Sequence, residues 1–402
     1  MDARPRVVIV GAGFAGLETV FCLRHMLGDA VELSLVSNDK NFVFRPDTIY
    51  IPFGADPKRF VVPLVRPLAG TGAQVVFDRA RAIDRENRKV LLRESELPYD
   101  FLVVATGAGV RQEEIPGLAE HATSLWTAGG MLKLARAYER LLGDAQQGHR
   151  RSVLFVVPPH NRCTSPVYEL ALMTDTWLRT HGARERVELT LATYEDNLIE
   201  AFGFRFDGLL RRRFAEGGVT LHTGLGLSEV EHRHCRFEGG ERLPFELLVS
   251  FPPHVVPHPF EGLPCDERGY VRVDKHSRRV AGPDALFAVG DVSTYPAKRA
   301  YLALLQAGVA ADHIAAEIEG RAPRLSFPRA CETLVEAMKA TTLHDTGPRP
   351  AQGFPPPASA EAPERFEVGV SPLWRAGTRT VGVHLPWRLG PGEPFYTRLD
   401  AL

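Results

Sequence analysis

The chain has 402 residues, 44% of them hydrophobic and 24% charged, with a formal net charge of −1. That length exceeds one ordinary core and predicts two or three domains, while the balanced charge excludes a global attraction to nucleic acid. Five scattered cysteines without CxxC spacing exclude a secreted disulfide scaffold and a structural zinc site, and the absence of a leader-like or spanning apolar run predicts a cytoplasmic protein.

In chain order, Val7 to Val10 is a continuous β-branched run of the kind buried in a parallel sheet. The turn Gly11-Ala12-Gly13-Phe14-Ala15-Gly16 follows, then a helical stretch from Leu17 to Leu27 and a second strand from Val31 to Val36. A GxGxxG turn between strand and helix is the signature of a dinucleotide site. Gly11 permits the tight turn, Gly13 lets the backbone approach a pyrophosphate, and Gly16 lets helix pack on strand. The helix N-terminus then presents free N–H groups to the phosphates. The second strand ends in Ser37-Asn38-Asp39, so Ser37 and Asp39 are both candidates for the ribose hydroxyls. The phrase Phe42-Val43-Phe44-Arg45-Pro46 comes next, followed by short strands at Gln74 to Phe77 and Lys89 to Leu92. Phe101 to Val104 is another buried strand, ending in Ala105-Thr106-Gly107.

A second βαβ unit opens with the strand Ser152 to Val157, a loop from Pro158 to Ser165, a helix from Pro166 to Arg179 and a strand from Val187 to Ala192. Further strands are predicted at Leu247 to Ser250 and Ala285 to Val289, the latter running into Gly290-Asp291, with a long helix from Tyr301 to Glu319. The alternation predicts an α/β protein with two Rossmann-like domains. The expected boundaries are 1–118 and 251–322 for the first domain, 119–250 for the second, and 323–402 for a small C-terminal α+β region. In that tail, Gly347 to Pro363 is rich in Pro, Gly and Ala, and Phe366 to Val370 and Thr380 to Leu385 read as strands. Trp374, Trp387, Phe395 and Tyr396 stand among Arg375, Arg379 and Arg388. They form either a candidate peripheral membrane contact or the packing of a small third domain.

The ordered set GxGxxG, ATG and GD resembles the two-dinucleotide-binding flavoproteins related to glutathione reductase, over residues 5–320. The resemblance implies FAD as cofactor, with Asp291 holding the ribityl chain and the ATG turn at the crossover between domains. The implied cofactor contacts are Gly11, Gly13, Phe14, Ala15, Gly16, Ser37, Asn38, Arg45 and Ala80 from the first segment. Ala105, Thr106, Gly107, Gly290, Asp291 and Lys298 complete them, with Lys298 beside the pyrimidine end as a cation for the reduced flavin.

Members that use NAD(P)H carry glycines in the second turn as well. Here that turn is Pro158-Pro159-His160-Asn161-Arg162-Cys163-Thr164-Ser165-Pro166, without a glycine, which argues against a second pyrophosphate. Its segment Cys163-Thr164-Ser165-Pro166-Val167-Tyr168-Glu169 resembles the Cys-x-x-Pro-x-Tyr-Glu of sulfide:quinone oxidoreductases, a family that also has a phrase like Phe42 to Pro46. This implies that two electrons pass from sulfide or a thiol through Cys163, paired with Cys331, and FAD to a quinone or other acceptor. Glu169 passes protons, and a homodimer is compatible. Where many members have a third cysteine, this chain has Ser124-Leu125-Trp126-Thr127. Ser165 as N-cap and Pro166 as first helical residue would place Cys163 just before a helix N-terminus, which lowers a thiol's pKa. Cys22, Cys235 and Cys265 read as bystanders. His232 and His234, on one face of a predicted hairpin, read as a solvated edge with no metal. The alternatives are an NAD(P)H-dependent flavin reductase resembling type II NADH dehydrogenases, and a flavin-holding subunit whose second domain docks a protein.

Overall fold

The computed structural model describes residues 4–198, 204–295 and 297–327. The predicted strands of the tail, its aromatic and arginine residues, and Cys331 lie outside the described residues.

Two five-stranded parallel sheets dominate. The first runs Ala285–Ala288, Phe101–Val104, Arg6–Val10, Glu32–Ser37, Gln74–Phe77. In Phe101–Val104, Ala285–Ala288 and the last four residues of Arg6–Val10 the apolar run is unbroken because both faces are covered. Val7, Ile9, Val103 and Phe287 meet the helices Phe14–Leu27 and Ala300–Glu319 on one face. Val8, Val10, Leu102 and Leu286 meet a three-stranded antiparallel meander and its neighbours on the other. Each such fully buried aliphatic side chain contributes roughly 1.5–3 kcal/mol of burial free energy. Ala307, Ala310, Ala311 and Ala315 have no exposed surface, and their small side chains let the two helices approach closely.

The second sheet repeats the plan with Ala122–Ser124, Leu247–Ser250, Arg151–Val157, Val187–Thr193 and Thr220–His222, again all parallel. The helices Ala128–Gln146 and Ser165–Thr180 cover one face, through residues such as Leu134, Tyr138, Val167 and Leu170. A second antiparallel meander, Leu227–Glu231, His234–Phe237 and Arg242–Pro244, covers the other. His232 and Arg233 form the turn of this meander, with Arg233 at φ 65°, so His232 is not on a strand face beside His234 as predicted.

The chain crosses into the second domain after Gly109–Val110 and returns through His254–Val255. These two segments pair antiparallel, so the hinge is a hydrogen-bonded ribbon. One packing relationship has no sequence signal. The 3-10 helix Arg45–Phe53 belongs by chain order to the first domain, yet Ile49, Ile51 and Phe53 pack into the core of the second. Phe53 sits 5.7 Å from the Tyr138 ring and 6.3 Å from Trp177, centroid to centroid.

Candidate active site

The three glycines of the first turn are required for different reasons. Gly11 has φ 109°, and a Cβ there would lie 2.4 Å from the Ala105 carbonyl oxygen. A Cβ on Gly16 would lie 1.7 Å from the Gly11 carbonyl oxygen. Gly13 has an ordinary φ of −80°, and a Cβ there would meet nothing within 4 Å. The protein's own packing therefore demands Gly11 and Gly16 and places no demand on Gly13. No side chain caps the helix Phe14–Leu27 and no acid stands in its first turn, an arrangement that could hold phosphate oxygens on its leading N–H groups. Phe14 is held edge-on by Phe42 and Phe44, at 4.9 and 5.5 Å, which gives the Phe42-Val43-Phe44 phrase a packing role behind the turn.

The other two motifs converge on the same carboxyl edge of the sheet. The Ala105 N–H donates to the Val10 carbonyl at 2.8 Å, Thr106 is exposed, and Gly107 has φ 72°. Gly290 has φ 75° and its N–H donates to Gln306 Oε1 at 3.1 Å, which sets the position of Asp291. Burial pushes the Asp291 carboxyl up, opposed by Lys298 and Arg45. Among the described residues no group donates a hydrogen bond to it. The half-buried carboxyl keeps open surface and has no donor of its own, a setting that the hydroxyls of a ribityl chain fit.

Lys298 is held by backbone carbonyls. Its Nζ donates to the carbonyls of Ser293 and Tyr295, at 2.5 and 2.7 Å, and stands 4.0 Å from the centre of the Tyr270 ring. With 3% exposure it has little open surface, and burial pushes its pKa down to about 7, against the pull of Asp291. Arg45 stacks on Trp126 at 4.3 Å, within electrostatic reach of Asp291. The Ser37 hydroxyl closes a turn onto Asp39, donating to its carbonyl at 2.7 Å, and leaves Asn38 and Asp39 exposed at the strand end. Ala80 is half-buried against the meander face of the first sheet.

The glycine-free loop brings Cys163 to the same place. The buried Asn161 side chain accepts from the Cys163 N–H at 2.7 Å and donates to the Phe251 carbonyl at 2.6 Å. Cys163 keeps some exposed surface, yet protein atoms crowd it, and burial pushes its thiol up to about 11. Arg299 opposes the rise and Asp291 adds to it. This corrects the expectation of a lowered thiol pKa: desolvation outweighs the helix terminus. The N-cap position is also corrected. Ser165 is the first helical residue, and its hydroxyl accepts from Arg299 Nη1 at 2.9 Å instead of capping the helix.

Glu169, in the same helix, is raised to about 7 by burial, with Arg299 opposing and Asp47 adding to the rise. Asp47, in the 3-10 helix Arg45–Phe53, is itself raised to about 6 by burial, opposed by Arg59. Neither Asp47 nor Arg299 was singled out from the sequence. Both reach the site through tertiary packing, without a local motif. Tyr168 of the same segment is buried, and its hydroxyl is bonded to Thr193 Oγ1 at 2.8 Å and to Glu195. Glu195 follows the second strand of the second unit, where a dinucleotide fold places its ribose acid, and Tyr168 engages it there.

The sequence pattern of the pyridine nucleotide-disulphide oxidoreductase family matches residues 5–142. The chain is 28% identical over 231 residues to a sulfide-quinone reductase of Aquifex aeolicus, covering 56% of this chain and 52% of that protein. The solved structure of the sulfide:quinone oxidoreductase from Aquifex aeolicus superposes with a TM-score of 0.71 at 22% identity, covering 79% of this chain and 77% of that one. The protein is an FAD-binding flavoprotein oxidoreductase whose first third matches the pyridine nucleotide-disulphide oxidoreductase family. This flavoprotein is also 27% identical over 301 residues to an NADH dehydrogenase-like protein of Mycobacterium tuberculosis, covering 72% of each chain.

Proposed function

We propose that this flavoprotein oxidises a sulfur nucleophile, sulfide or a small thiol, through Cys163 and delivers two electrons to a quinone or other acceptor. The observation that supports this reading most directly is the placement of Cys163. It occupies the turn that would otherwise cradle a second pyrophosphate, within electrostatic reach of Asp291. FAD, when bound, supplies the two-electron carrier between sulfur and acceptor.

The remaining roles belong to the chain. The Gly11–Gly16 turn and its helix N-terminus hold the pyrophosphate, and Asp291 accepts from the ribityl hydroxyls. Cys163 captures the sulfur atom, and Arg299 favours its thiolate form. Joining HS⁻ to that thiolate as a persulfide releases two electrons and one proton. A quinone acceptor takes up two electrons and two protons. Glu169, raised to about 7, is tuned to take and return a proton near neutral pH. Cys331, outside the described residues, enters as the second cysteine. Peripheral contact with the inner face of a membrane, through the tail, belongs to the same reading. No helix among the described residues is long and apolar enough to cross a membrane.

A second reading, an NAD(P)H-dependent flavin reductase, is favoured by the similarity to the mycobacterial NADH dehydrogenase-like protein. Against it stand the loop's lack of glycine and the engagement of Glu195 by Tyr168. Anaerobic titration of the purified protein separates the two. Sulfide is expected to bleach the visible flavin absorbance of the wild type and not of Cys163→Ser, with NADH inert. Equal bleaching of both by sulfide would sink the thiol reading, and stoichiometric bleaching by NADH would select the second.

A further inference from the structure

The loop 158–164 is bonded to the hinge at every level. The His160 carbonyl accepts from the His254 N–H at 3.1 Å, and the Arg162 N–H donates to His254 Nδ1 at 3.4 Å. Asn161 reaches the Phe251 carbonyl, as described above. The side chains add a second set of contacts. Arg268 grips Glu114 with both ends of its guanidinium, at 3.0 and 2.8 Å, and its Nε donates to the His254 carbonyl at 2.9 Å. His160 Nδ1 lies 2.5 Å from Glu114 Oε1 and 3.0 Å from Arg268 Nη1.

Glu114 follows the outgoing strand of the hinge ribbon, and His254 belongs to the returning one. Arg268 stands beyond it, in the returning segment, while His160 belongs to the loop itself. His160 also holds φ 62°, a left-handed conformation that a non-glycine residue keeps only when its surroundings fix it. Three residues on, Cys163 inherits this fixed backbone through Asn161 and Arg162. The Arg162 carbonyl in turn accepts from the Lys298 N–H at 3.1 Å, seven residues beyond Asp291.

We propose that Glu114, Arg268 and His160 form a latch that clamps the Cys163 loop onto the interdomain hinge. Glu114 and Arg268 are then positioning residues for Cys163. The loop that cradles a phosphate in dinucleotide folds is used here to lock the two domains and aim the thiol. The value of the latch for turnover rests on the sulfur-oxidising reading; its geometry does not.

The test is the alkylation rate of Cys163 by iodoacetamide in the FAD-loaded protein, read by mass spectrometry of its peptide. Glu114→Gln and Arg268→Met are expected to speed alkylation about tenfold, as local opening of the loop exposes the thiol, with the visible flavin spectrum retained. The charge-swapped double variant Glu114→Arg/Arg268→Glu is expected to move back toward the parent rate. Rates within twofold of the parent, or a swapped pair no slower than the single variants, overturn the proposal. So does loss of FAD in Glu114→Gln, the mildest change, because the contact would then support the whole fold. A latch result as expected, with sulfide failing to bleach the flavin, would count against the sulfur-oxidising reading alone.

Discussion

Arg299 Nη1 donates to Ser165 Oγ at 2.9 Å, tying the start of the long helix Ala300–Glu319 to the first residue of the helix that follows Cys163. The bond joins the first domain to the second directly beside the candidate thiol. The same guanidinium opposes the effect of burial on both Cys163 and Glu169.

Replacing this cation therefore has a defined sign. In Arg299→Met the thiol and the carboxyl both lose the charge that favours their ionised forms, so both rise further. The pH profile of Cys163 alkylation is expected to move upward by about one unit. A profile that does not move would show that Arg299 acts on the site only as a tether.

Asp47 links the site to stability. Its folded pKa, about 6, lies above the ordinary 3.8, so the fold holds the proton longer than the unfolded chain does. Stability tied to this group is thus present below the ordinary value and lost as pH rises through the window from 3.8 to about 6. Melting curves of Asp47→Asn against the parent should diverge in favour of the variant across that window and run parallel above it. A constant gap at all pH values contradicts the assignment.

Gly13 and Gly16 separate ligand from fold. Gly16→Ala places a methyl group on the Gly11 carbonyl and is expected to destabilise the protein even without FAD, by about 1–3 kcal/mol or more. Gly13→Ala meets open space, so its melting temperature without FAD should match the parent while FAD affinity falls. Urea denaturation of the apoprotein and fluorescence titration with FAD read the two effects. Equal losses of stability would remove the distinction.

Asp291 is half-buried with no donor among the described residues, and its surroundings hold its carboxyl above the ordinary range. Asp291→Asn is expected to weaken FAD binding by about tenfold or more, the scale of a hydrogen bond to a charged group. The apoprotein should melt at an equal or higher temperature. Undiminished FAD affinity would place the ribityl chain elsewhere.

The sequence by itself determined the sheets and the first nucleotide turn. Val7 to Val10 and Phe101 to Val104 read as central parallel strands, because an unbroken apolar run needs cover on both faces. The positions of Gly11, Gly16 and Gly290 follow from local backbone geometry, which is written in consecutive residues. The glycine-free loop and its cysteine were legible for the same reason.

Only the tertiary structure decided how that cysteine behaves. Proximity to a helix terminus points to a depressed thiol pKa, but desolvation depends on every atom packed around the sulfur, and it raises the thiol to about 11. Asp47, Arg299, Glu114 and Arg268 carry no local motif. They reach Cys163 and its loop from segments far apart in the chain, when the Arg45–Phe53 helix enters the second core and the hinge strands pair. Backbone conformation is a short-range property and can be read along the chain. Electrostatic environment is a property of three-dimensional packing, and no stretch of this sequence encodes it alone.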